Sequence, residues 1–135
     1  MIQLIRVPGP PRPKARPQKG RDHWYVPSAE DEKRVAWYFV QLKGEFLEGP
    51  VRIDTFFYVN ARSRADEDNL RKLVLDALQR VGVLKNDRQV AGGLCWREVV
   101  SKGGEGSVVR IGRPDDPWDE RDPEEIPEGL RERLA

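Results

Sequence analysis

The chain has 135 residues, of which 35% are charged, with one cysteine (Cys95) and one histidine (His23). That length suits one domain with a short appendage, able to bury roughly two-thirds of its unfolded surface. A single thiol and a single imidazole exclude a disulfide framework and a Cys-cluster metal site. They also argue against His-based zinc and Ser-His-Asp chemistry.

No apolar run approaches the ~20 residues of a membrane span and no signal peptide opens the chain, so a cytoplasmic location is expected. Polar chemistry is left to carboxylates, lysines and arginines. The formal net charge of +1 conceals an asymmetry. Residues 114–135 hold nine acids against three arginines, net −6, whereas residues 1–113 hold 21 Lys and Arg against 14 acids, net +7. A basic body fits a polyanionic partner, and equally a well-solvated surface.

Residues 1–7 alternate weakly through Ile2, Leu4 and Val7 and predict a short strand. Residues 8–22 read as a loop, because Pro8, Pro10, Pro11, Pro13 and Pro17 cannot donate to a ladder. Arg12, Lys14, Arg16, Lys19 and Arg21 are spread along it. Ser28 and Asp31 suit a capping box, and Val35, Phe39, Leu42 and Phe46 continue with helical spacing to an end near Gly44 or Gly49.

From Pro50 onward, Val51, Ile53, Thr55, Phe57 and Val59 alternate with Arg52, Asp54, Phe56, Tyr58 and Asn60. This predicts a strand, and the aromatics on its second face imply that both faces are covered. Leu70, Leu73, Val74, Ala77, Leu78 and Val81 predict a second helix, with Gly82 as its C′ residue. After a turn over residues 85–87, residues 89–100 read as a strand weakened or bulged at Gly92 and Gly93. Residues 102–106 read as a hairpin turn into a last strand over 107–111. The order β-loop-α-β-α-β-β predicts an α+β domain over 1–113, with a mixed or largely antiparallel sheet and two main helices. Residues 114–135 form an acidic tail, with Trp118 and Ile126 as anchors.

The candidate chemistry lies at the start of the second helix, where Asp66, Glu67 and Asp68 share the first turn. Acids there complement the helix dipole by ~0.3–1 kcal/mol, and Asp68, Lys72 and Asp76 can form i,i+4 pairs. They equally make a hard-oxygen donor set for Mg²⁺, which keeps several of its waters. Beside a basic surface, such a site suits phosphodiester hydrolysis, with Lys72 stabilising developing charge.

Asp66-x-Asp68-Asn69-Leu70-x-Lys72, then Asp76-Ala-Leu78, Gly82 and Asp87-x-Gln89, resemble the RusA-like Holliday junction resolvases. The basic Pro-rich stretch from Gly9 to Arg16 and Lys102-Gly103-Gly104 are similar to further parts of that family, so the resemblance covers roughly residues 1–112. It implies a homodimeric, Mg²⁺-dependent endodeoxyribonuclease, with Mn²⁺ as a substitute, that cuts four-way DNA junctions by paired symmetric incisions in recombination and repair. It also implies Asp66, Asp68 and Asp87 as metal ligands and Lys72 as a catalytic lysine. Asn86 departs from the family, which often has two acids at this place. A binding protein that has lost cleavage, or a nuclease for flaps and other branched DNA, are the alternative readings.

A geometric expectation follows. From Asp68 to Val81 the helix rises about 20 Å, and the six residues from Val81 to Asp87 reach back at most about 20 Å. One subunit can hardly bring all three aspartates together, whereas a C2 dimer can pair Asp66 and Asp68 of one copy with Asp87 of the other. Arg12, Lys14, Arg16, Lys19 and Arg21, with Arg62 and Arg64 beside the carboxylates, are the expected DNA contacts; a PxxP-type peptide ligand is the other use of such a loop. The tail is expected to compete with DNA, solubilise the chain or pack on a partner subunit. His23, Trp24, Cys95 and the remaining aromatics are read as packing residues.

Overall fold

The computed structural model describes residues 1–15, 18–20, 24–25 and 28–118. Arg16, Arg21, His23 and Ile126 lie outside the described residues, as does the tail beyond Trp118. The chain runs β1 (Gln3–Pro8), β2 (Gln18–Lys19), β3 (Trp24–Tyr25), α1 (Ala29–Trp37), β4 (Arg52–Val59), α2 (Glu67–Arg80), β5 (Cys95–Val99) and β6 (Gly106–Gly112). The α+β class, mixed sheet and two main helices agree with the sequence pattern. The short β2–β3 ladder, which joins the Pro-rich loop to the residues just after it, does not appear in that pattern. Among the described residues no helix is long and apolar enough to cross a membrane.

The main sheet has the order β1-β6-β4-β5. β6 pairs antiparallel with β1 and with β4, whereas β4 and β5 run parallel from Thr55↔Cys95 to Val59↔Val99. Parallel neighbours need a crossover, and α2 supplies it. The expected hairpin between the last two strands is therefore corrected: β4 lies between β5 and β6. The tight turn does exist, with Gly104 N–H donating to Ser101 O (2.9 Å), but it carries the chain across the end of β4.

Both helices cover one face of the sheet. Val35, Ala36 and Phe39 from α1 and its C-terminal side, and Leu70, Leu73 and Ala77 from α2, pack with Ile5, Ile53, Phe57 and Val109. On the other face Phe56, Tyr58, Val100 and Val108 form a second cluster. Every residue of β4 except Arg52 is buried, as the aromatics on both sides of its alternation require. The second face also buries an ion-pair network. Asp54 accepts from Arg110 Nη2 (2.8 Å), Arg52 Nε (3.1 Å) and Leu94 N (2.8 Å).

Three local expectations are revised. α1 ends at Trp37, and a 3-10 turn over Val40–Leu42 continues the path, so Phe39, Leu42 and Phe46 are buried without one long helix. Ser28 does not cap α1 with its side chain; its hydroxyl accepts Ala15 N–H (3.1 Å) from the Pro-rich loop. The strand expected from residue 89 begins only at Cys95, with a single bridge, Val51↔Val90, before it. Gly93 explains the gap: its φ is +129°, and a Cβ there would lie 1.9 Å from Ile53 O. Gly82, at φ +78°, closes α2 as the sequence predicts. Trp118 anchors the start of the tail, donating from Nε1 to Arg113 O (2.7 Å) beneath the Arg52 guanidinium.

Candidate active site

The segment that leaves β4 is folded by its own polar groups. Asn60 Oδ1 accepts Arg62 N–H (2.9 Å), and Ser63 N–H returns to Asn60 O (3.0 Å). Arg97 on β5 donates from Nε to Ala65 O (2.8 Å) and from Nη2 to Ser63 O (2.9 Å). Asp66 then starts α2 as its N-cap, accepting Asn69 N–H at Oδ1 (2.9 Å) and Asn69 Nδ2 at Oδ2 (3.3 Å).

Asp66, Glu67 and Asp68 are thereby held on one exposed turn. With Arg64 and Arg97 they line an open cleft of about 500 Å³. The helix N-terminus and the two guanidinium groups set positive charge beside these carboxylates. Beneath them, Cys95 Sγ lies 3.7 Å from Glu67 O. Burial pushes its thiol pKa up, more than Thr55 and Arg71 draw it down. Cys95 thus remains a neutral packing group.

Arg71 fastens this turn to the sheet. Nη1 donates to Ile53 O (2.8 Å), Thr55 Oγ1 (3.2 Å) and Leu94 O (3.2 Å), and Nη2 to Gly92 O (3.3 Å). These acceptors lie where Gly92 and Gly93 interrupt the strand pairing. Lys72 follows on α2, exposed, and forms no ion pair with a described residue. Asp76, its i+4 neighbour, is instead paired with Lys14 (3.0 Å).

Asp87 stands apart. It opens a 3-10 turn, Asp87–Gln89, capped by Asn86, whose side chain accepts Arg88 N–H (2.9 Å). Gln89 O accepts Val51 N–H at the start of β4, whereas Arg97, which holds the Asp66 loop, pairs with Phe57. Six residues of strand separate those points, about 20 Å at 3.3 Å per residue. Among the described residues no three His, Cys, Asp or Glu side chains converge as a metal cage.

The basic residues divide. Arg12, Arg62 and Arg64 line a second cleft of about 350 Å³ with Pro10, Pro11 and Pro13. Lys19 is exposed on β2. Lys14 turns inward: its Nζ lies 3.0 Å from Asp76 and 3.4 Å from Glu32, and its backbone N–H donates to Asn69 O (2.9 Å). Partial burial alone would lower the Lys14 pKa, but Asp76 and Glu32 together raise it above the ordinary 10.5. Glu32 also binds Arg80 Nη1 (2.7 Å), so this cluster ties the loop to both helices.

Arg71, Arg97 and Glu32 were not singled out by sequence reasoning. A usable signal exists for Arg97, which shares the strand face of Cys95 toward the helix layer, where an unpaired guanidinium would be costly.

Residues 8–111 match the family model described as Endodeoxyribonuclease RusA. Over 81 residues the chain is 28% identical to the crossover junction endodeoxyribonuclease RusA of Aquifex aeolicus (strain VF5). That similarity covers 59% of this chain and 64% of the relative, just under two-thirds of its length.

Proposed function

Because the chain belongs to the RusA endodeoxyribonuclease family, we propose that it is a divalent-metal-dependent endonuclease that resolves four-way DNA junctions by paired phosphodiester cleavage. The observation that carries this reading is the exposed Asp66–Glu67–Asp68 turn opening into a cleft that shares Arg64 with the basic Arg12 cleft.

The donor set suits Mg²⁺, with Mn²⁺ as substitute: oxygen-only and open to the water that such an ion retains. Asp66 keeps coordinating capacity, since a carboxylate offers about four lone-pair sites and Asn69 occupies two of them. Bound there, Mg²⁺ supplies a water of lowered pKa and neutralises charge on the scissile phosphate.

The protein's own groups do the rest. Asp66 and Asp68 hold the cation from one copy. The partner subunit's Asp87 completes the set in a C2 homodimer, which the separation of Asp87 from Asp66 within one chain supports. Lys72, one helical turn from Asp68, holds a proton toward the departing oxygen. Arg64 orients the scissile phosphate, while Arg12, Arg62 and Lys19 grip flanking phosphates without reading sequence. Arg16 and Arg21 extend the same basic loop. Lys14 serves by fastening that loop to α2.

The test is strand cleavage of a labelled immobile four-way junction, beside matched duplex and flap DNA, with Mg²⁺ or chelator. Symmetric metal-dependent nicks confined to the junction, absent in Asp66→Asn, are expected. Tight junction binding without cuts under Mg²⁺ and Mn²⁺ would make it a binding protein instead.

A further inference from the structure

Three clefts lie in series around the loop that joins β4 to α2. The carboxylate cleft shares Arg64 and Ala65 with the Arg12 cleft. The Arg12 cleft in turn shares Asn60 and Arg62 with a third, of about 480 Å³, which ends on Ser101 and Lys102. Among the described residues no carboxylate lines the second or third cleft, whereas Arg12, Arg62, Arg64 and Lys102 do.

Lys102 is forty residues from Arg62 in sequence, yet one hydrogen-bonded latch holds both. Glu105 accepts Gly103 N–H at Oε2 (2.7 Å) and Asn60 Nδ2 at Oε1 (3.4 Å). The same Asn60 accepts Arg62 N–H through Oδ1. The turn itself sets where Lys102 points. Gly104 N–H donates to Ser101 O, and Gly103 takes φ +92°, the left-handed conformation that the third position of a type II turn requires. Lys102 occupies the outer corner and is exposed.

We propose that Lys102 is a DNA-backbone contact, the far end of a phosphate track that starts at Asp66 and Asp68 and passes Arg64, Arg12 and Arg62. This rests on the nuclease reading and adds to it the direction in which the DNA arm leaves the site. An ammonium at a turn corner binds a phosphate as a point charge, so Lys102 contributes affinity and placement and no sequence preference. It touches neither the carboxylates nor Lys72, and therefore acts on binding rather than on chemistry.

Junction affinity of Lys102→Ala and Lys102→Arg, measured without metal between 50 and 200 mM salt, tests it, with Arg12→Ala as reference. Lys102→Ala is expected to flatten the plot of log K against log salt by about 0.9, the release of counterions from one phosphate. Lys102→Arg restores the slope, and cleavage at saturating junction stays at the wild-type rate in both. A methylphosphonate at one position along the arm should erase the difference between wild type and Lys102→Ala. An unchanged slope in Lys102→Ala beside a flattened one in Arg12→Ala removes Lys102 from the track and leaves the nuclease reading intact. Failure of any methylphosphonate position to erase the difference also overturns the contact. Wild-type protein that binds no junction overturns the nuclease reading itself.

Discussion

Replacing Arg71 by Met keeps the aliphatic stem and removes the guanidinium that bridges α2 to the interrupted edge of β4. Two hydrogens on Nη1 and one on Nη2 serve the four acceptors, so about three bonds are effective. Hydrogen bonds from charged donors contribute roughly 1.5–3 kcal/mol each, and the partly exposed position favours the low end. Water recovers part of that at Gly92 O, leaving an expected loss of about 3 kcal/mol for Arg71→Met. For a chain of this size that is a fall in Tm of roughly 10 °C, measurable by circular dichroism, with urea unfolding as an independent check. Hydrogen exchange should quicken at Leu94 and Cys95, beside the lost bonds. A fall in Tm of less than about 3 °C, roughly 1 kcal/mol, would refute the clamp and show that solvent satisfies those carbonyls unaided.

Two further substitutions probe the frame around the site. Gly93→Ala places a methyl 1.9 Å from Ile53 O and should abolish cooperative folding or lower Tm by more than 10 °C, about 3 kcal/mol or more. Gly92→Ala meets no atom within 4 Å and carries only the strain of its φ of +97°, so its Tm should fall by about half as much or less. Lys14 gives a pH dependence: a lysine whose folded pKa is raised stabilises fully below its unfolded value and loses that contribution as pH rises through the folded one. Wild type should therefore lose stability above pH 10.5 relative to Lys14→Met, in which that alkaline slope is absent.

Much of this architecture can be read locally. α2 is legible because Leu70, Leu73, Ala77 and Leu78 carry a 3.6-residue period and Gly82 ends it. β4 is legible because both its faces alternate without a break. What escaped depends on contacts between distant residues. Ser28 has the right chemistry for a cap, but Ala15, thirteen positions earlier, takes its hydroxyl. The turn after β5 has hairpin composition, yet strand order is set by α2, which lays β5 parallel to β4. The aromatics beside Asp54 announce a covered second face, but not its partner: Arg110 lies 56 positions later and meets Asp54 only once the sheet is formed. At the candidate site, the Asp66 turn is legible from spacing alone. Arg71 and Arg97 were not, because their partners are backbone carbonyls, which no residue type announces.

The measurement that bears most directly on the proposed site is a subunit-mixing experiment on the labelled junction. Asp66→Asn and Asp87→Asn proteins, each inactive alone, are mixed, exchanged and assayed with Mg²⁺. If each centre takes Asp66 and Asp68 from one subunit and Asp87 from its partner, every heterodimer holds one intact centre. The mixture should then nick the junction in a metal-dependent way at a fraction of the wild-type rate, on one strand per encounter. If mixing restores no cleavage although heterodimers form, the centres are self-contained and the shared-site account fails.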